Sequence, residues 1–157
     1  MKLVFAIAAV AALSGCASVM NDSTHPMKIE TLTPDGKAIC GAECKLGNDY
    51  GSITVKSGDT AQVRRSSKDM DITCVSSNQA DAKGRAISRA NSGMFGNIIL
   101  GGGIGAIIDH NKGTAYTYPT WVQLIFGQTR IFDRTDEKDG MPLAGRQPEA
   151  AAPSAAK

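Results

Sequence analysis

Short stretches of alternating apolar and polar residues, broken by turn-forming clusters, dominate the middle of the chain. Met27-Lys28-Ile29-Glu30-Thr31-Leu32 alternates, and Pro34-Asp35-Gly36 then supplies turn chemistry. Ile53-Thr54-Val55-Lys56 repeats the pattern up to Ser57-Gly58-Asp59, and Ala61-Gln62-Val63-Arg64-Arg65 follows as a further segment. Met70, Ile72 and Cys74 share one strand face by the period of two, as do Val122, Leu124 and Phe126 in the segment that starts at Trp121. Strands recurring about every 10 residues with turns between them predict a mainly β domain, a small antiparallel sandwich or barrel. That domain is expected over residues 27–132, with the Trp121 segment closing the sheet over the earlier hairpins.

Three other segments break this pattern. Leu3 to Ala12 is unbroken apolar sequence behind a basic Met1-Lys2. It is too short to cross a bilayer, which needs about 20 apolar residues, but it suits the core of a signal peptide and its helix. From Met94 to Ile108 no residue is charged, and Gly101, Gly102, Gly103 and Gly105 fall within it. Asp133 to Lys157 is charged, then rich in Ala and Pro, without apolar period, and reads as a disordered tail.

The glycine-rich segment 93–109 is the least ordinary part of the chain. As a helix or hairpin it would be apolar all round: Ile98, Ile99, Leu100, Ile104 and Ile107 spread over most of a helical wheel. Interior glycines cost about 1 kcal/mol each against Ala, so such an element needs a surface to pack on. Gly101 and Gly105, four residues apart, would let another backbone approach closely. Three readings follow: packing on the domain's own sheet, partial insertion into a membrane, and self-association or docking through the glycine face. The candidate docking or membrane residues are Phe95, Ile98, Ile99, Gly101, Ile104 and Gly105. The spacing of Gly101, Gly103 and Ala106 fits the letters of a dinucleotide-binding loop, but no βαβ context or ribose-binding acid accompanies it.

Composition narrows the chemistry. Hydrophobic residues are 42% and charged residues 20% of the 157, the balance of one small globular domain. A formal net charge of +2 argues against nucleic acid as a partner. The two histidines, His25 and His110, leave little for acid–base or metal chemistry. Asp109 and His110 are adjacent, no serine elbow accompanies them, and the pair reads as a segment end followed by a solvated imidazole. No catalytic residue, cofactor or metal is assigned, and the chain is expected not to be an enzyme.

Export behind the signal-peptide pattern makes a disulfide among Cys40, Cys44 and Cys74 the expectation, and the odd count leaves one thiol over. Cys44 shares a strand face with Leu46 and Cys74 with Ile72, which favours a Cys44–Cys74 disulfide, with Cys40–Cys74 as the alternative. A zinc site on Cys40, Cys44 and Cys74 lacks a nearby fourth ligand, and no redox CxxC is present.

Leu13-Ser14-Gly15-Cys16 resembles the lipobox of bacterial lipoproteins. That resemblance implies cleavage after residue 15 and acylation of Cys16, so that residues 1–15 are a signal peptide, residues 16–26 a lipidated tether and membrane lipid the first partner. Ala17, in place of an Asp, implies sorting to the outer membrane. Further blocks recur in order: Gly41-Ala42-Glu43-Cys44; Arg65-Ser66-Ser67 leading into Ile72-Thr73-Cys74; Phe95 to Asp109; and Gly113-Thr114-Ala115-Tyr116-Thr117-Tyr118-Pro119. Over about residues 40–124 they resemble small Gram-negative outer-membrane lipoproteins with a PEGA-like β domain and a glycine-rich segment. Cys40 is an extra thiol relative to that pattern, and Ser76-Ser77-Asn78-Gln79 replaces its Gly-Tyr. The resemblance implies a palmitate-bearing, lipid-anchored protein of the cell envelope, with a structural or docking role toward an envelope protein or a second copy. An accessory lipoprotein of a secretion or surface assembly is the alternative, and an envelope hydrolase a more distant one.

Overall fold

A computed structural model describes residues 23–90 and 115–149. Ten strands are described there: β1 (Thr24–Leu32), β2 (Glu43–Asn48), β3 (Gly51–Lys56), β4 (Thr60–Arg64), β5 (Met70–Val75), β6 (Ala82–Ala86), β7 (Arg89–Ala90), β8 (Tyr116–Thr117), β9 (Trp121–Ile125) and β10 (Thr129–Phe132). They form a three-stranded sheet in the order β4-β1-β9, a five-stranded sheet in the order β10-β6-β5-β2-β3, and a small β7-β8 ladder. Among the described residues the one helical element is a 3-10 turn at Arg134–Asp136.

Alternation makes β1, β2, β4, β5, β6 and β9 one-sided. Met27 and Ile29 on β1, Val63 on β4 and Val122 and Leu124 on β9 are buried in one cluster with Cys44, Leu46, Ile72, Cys74 and Phe132 of the larger sheet. The two sheets therefore cover a common core as a sandwich. The expectation of a mainly β fold holds, but the sheets are mixed, not antiparallel. β9 runs parallel to β1 with Ile29 opposite Val122, and β10 runs parallel to β6 with Phe132 opposite Ala86.

Two tight connections explain the mixture, because each carries the chain from one sheet to the other. The Ser57-Gly58-Asp59 turn lies between β3 and β4, yet these strands do not pair. Gly58 donates to the Ile29 carbonyl at 2.8 Å, and Ile29 donates to Asp59 at 3.1 Å, which hands the chain to β1. β3 buries neither face fully, whereas β4 finds a buried register with Met27 opposite Ala61. On the other side, the turn at Gly127, where φ is 75°, passes the chain from β9 to β10.

The segment expected as a disordered tail from Asp133 is packed as far as Arg146. Asp133 is buried, and its carboxylate accepts from Thr135 N at 3.1 Å to cap the 3-10 turn. Gln123 N donates to Leu143 O and Leu143 N to Trp121 O, while Ile131 and Arg146 exchange a pair of backbone bonds at 2.8 Å. These residues strap the β9 edge to the β10 edge. Unpaired edge groups supply the driving force, and they are satisfied a few at a time, without any apolar period in the segment. The expected tether also ends early, since β1 starts at Thr24 and His25 is buried. The signal peptide, the glycine-rich segment and the last residues of the tail lie outside the described residues.

Candidate functional site

Of the residues singled out from the sequence, Cys44 and Cys74 are described, and they are joined. They stand opposite each other on β2 and β5 with a Cα–Cα distance of 4.0 Å, and both are fully buried. The alternative Cys40 is a free, exposed thiol. Cys16, Phe95, Ile98, Ile99, Gly101, Ile104 and Gly105 lie outside the described residues. The points where the chain leaves toward them are described, and they converge on one end of the sandwich.

That end is built by strand direction. β1 begins there at Thr24, opposite Arg64 at the end of β4, and Arg65 N donates to Ser23 O at 2.9 Å. β6 ends there at Ala86 opposite Met70, and β7 and β8 pair just beyond, with Ala90 opposite Tyr116. The β7-β8 ladder thus closes the base of residues 91–114.

Tyr118 organises the polar groups of this end. Its ring is fully buried, its hydroxyl donates to the Lys68 carbonyl at 2.7 Å, and it accepts from Asn48 Nδ2 at 3.2 Å. The same Asn48 nitrogen donates to Arg64 O at 2.7 Å. Burial pushes the Tyr118 phenol above its ordinary range. Ser66 donates to the Asp49 carboxylate and accepts from Lys68 N at 3.0 Å, and Ser88 Oγ donates to Ser66 O at 2.5 Å. Arg64–Lys68 is therefore a turn whose centre, Ser66, is buried and bonded to β7's approach.

Two further groups flank the network. Arg89 grips Asp133 through Nε at 3.1 Å and through Nη2, and this guanidinium holds the carboxyl far below the usual carboxylate range. His25 is 6% exposed and its ring is bonded to the Pro119 backbone, which has only a carbonyl to offer. Burial first, then Arg65 and Arg134, push its pKa down, opposed by Glu137. Its Nε2 meets no partner among the described residues.

The chemistry this arrangement can do is limited. The Ser66 hydroxyl is committed to Asp49, and Arg65 and Arg134 disfavour the charged form that His25 would need to store a proton. No cluster of metal-ligating side chains is found among the described residues. Elsewhere, no strap among the described residues covers the side of the sandwich between β3 and β4, and an open pocket of about 190 Å³ there is lined by Leu46, Ile53, Val63 and Met70. Tyr50 stands beside it, with the Arg64 guanidinium 4.5 Å from its ring centroid.

Sequence reasoning passed over Asn48, Arg89 and Asp133. Only Asp133 carried a local signal: an Asp two residues before Thr135 is the side-chain-to-backbone pattern of a cap. The chain defines a disulfide-stapled β-sandwich of mixed sheets. No family model, curated protein or solved structure matches it.

Proposed function

We propose that this protein is a lipoprotein anchored to the outer membrane through acylated Cys16, with a non-enzymatic structural or docking role in the cell envelope. The observation that carries the reading is Leu13-Ser14-Gly15-Cys16 placed directly behind an apolar core of signal-peptide length. The buried Cys44–Cys74 disulfide supports it, because such bonds persist in oxidising compartments such as the periplasm. The domain also starts at Thr24, which leaves a short polar link back to Cys16. Several acyl chains at one residue give firm anchoring, where a single chain holds only marginally.

The test is mass spectrometry of the N-terminal peptide from the protein expressed in a Gram-negative host, together with density separation of the two membranes. The expected result is a peptide that begins at an acylated Cys16 and fractionates with the outer membrane. A Cys16→Ala variant should be uncleaved at this site and unacylated. An unmodified N-terminus on the wild-type chain would overturn the reading.

A further inference from the structure

Strand direction gives this sandwich two distinct poles. β1 runs from Thr24 at one pole to Leu32 at the other, about 27 Å at strand rise. Ser23, Ala90 and Tyr116 all lie at the first pole: Ser23 bonds Arg65, Ala90 pairs Tyr116, and Ser66 and Ser88 tie the two exits together. Cys40 lies at the second, between Ile39, which donates to Thr31 O, and Gly41, which donates to Ser57 O. The strap ends there too, since Arg146 pairs antiparallel with Ile131 and Pro148 reaches the level of Thr129.

We propose that the pole carrying Ser23, Ala90 and Tyr116 is a membrane-facing surface and that its partner is the lipid surface itself. The inference rests on the lipid-anchor reading of Cys16 and adds an orientation that the anchor alone does not specify. Two independent features of the chain point the same way. Six residues lie between Cys16 and Ser23, seven chain steps with a reach of at most about 25 Å, so the tether holds this pole close to the headgroups. The 24 residues from 91 to 114 also start and finish at this pole, and Met94 to Ile108 within them carry no charge. Had their base been at the second pole, the sandwich would stand between that apolar sequence and the bilayer.

The side chains exposed at this pole suit a headgroup layer. Tyr50 is 45% exposed and amphipathic, with the Arg64 guanidinium stacked on it, and Lys68 is exposed beside them. Two neighbouring exposed carboxylates are held by local donors, Asp49 by the Ser66 hydroxyl and Asp69 by the Ser88 amide.

The full acylated protein would be reconstituted in vesicles of phosphatidylethanolamine and phosphatidylglycerol that contain a lipid with a nitroxide on its headgroup. A nitrobenzoxadiazole probe on native Cys40 reports the second pole. Lys68→Cys and Asp136→Cys, each in a Cys40→Ser background, report the first, and two positions guard against one variant failing to fold. Mass spectrometry of the N-terminal peptide is read on the same samples. With Cys16 acylated, the expected result is several-fold stronger quenching at positions 68 and 136 than at Cys40. Equal quenching at the two poles, or stronger quenching at Cys40, overturns the orientation while leaving the anchor intact. An unacylated Cys16 overturns both.

Discussion

The Arg89 guanidinium holds the Asp133 carboxylate by two hydrogen bonds, and so ties β7 to the end of β10. Asp133 is buried while Arg89 is half exposed, so the pair has one dry and one wet partner. Because the folded carboxyl titrates far below its ordinary value, its stabilisation is complete above the unfolded pKa of about 3.9. It fades as pH falls below that value toward the folded one. An Asp133→Asn variant should lose urea resistance at pH 7, and the gap to wild type should narrow progressively in unfolding titrations below pH 4. A pH-independent gap would mean that the ion pair is not its source.

His25 gives a second pH dependence in a different window. Its folded pKa lies below the ordinary value of about 6.5, so above that pH neither state is charged and stability is at its plateau. As pH falls below 6.5, the unfolded chain takes up a proton that the folded protein resists. Stability should therefore drop, with a limiting slope of about 1.4 kcal/mol per pH unit, until pH passes the folded value. His25→Gln should remove this slope between pH 6.5 and 5 in urea titrations, and imidazole NMR should report the depressed pKa directly.

Reduction of the Cys44–Cys74 bond should cost about 3.5–4 kcal/mol on the chain-entropy estimate for its closed loop. The bond is fully buried, so mild reductant on the native protein should leave it intact, and denaturant should be required first. A Cys44→Ala/Cys74→Ala variant should show a lowered urea midpoint. Cys40→Ser, which removes the exposed free thiol, should leave the midpoint unchanged.

Phe132 packs where two glycines leave room. A Cβ at Gly84 would stand 2.7 Å from Phe132 Cε2 and 3.2 Å from Leu124 Cδ2. One at Gly145 would stand 2.7 Å from Phe132 Cε1 and 2.9 Å from the Ile131 carbonyl, at a residue whose φ is already +65°. Gly84→Ala should destabilise by about 1–3 kcal/mol through overpacking. Gly145→Ala should also release the strap, read as faster amide exchange at Ile131 and Gln123, whose N–H groups it satisfies. Unchanged exchange there would show that the strap does not depend on this glycine.

The strands that were legible in sequence are those whose buried side is written in large apolar residues. β1, β5 and β9 are of this kind, and Cys44 and Cys74 fell on predicted inner faces and did pair. β6 gave no such signal, because its inward positions are Ala82, Gly84 and Ala86, and their smallness has meaning only beside the Phe132 ring. β10 buries fully only Phe132, so alternation could not reveal it.

By itself, the sequence determined the β character of the domain, its main strands and the face on which its cysteines meet, because side-chain alternation is a local property of a pleated backbone. The tertiary structure decided which strands are neighbours. Tight turns at Ser57–Asp59 and Gly127 look like hairpin signals, yet both hand the chain to the opposite sheet, since the best burial for β4 is beside β1 and for β10 beside β6. The packing of Asp133 to Arg146 was decided there as well. So was the placing of Ser23 and the β7-β8 ladder at one end of the sandwich, because both depend on groups far apart in the chain that only the completed sandwich brings together.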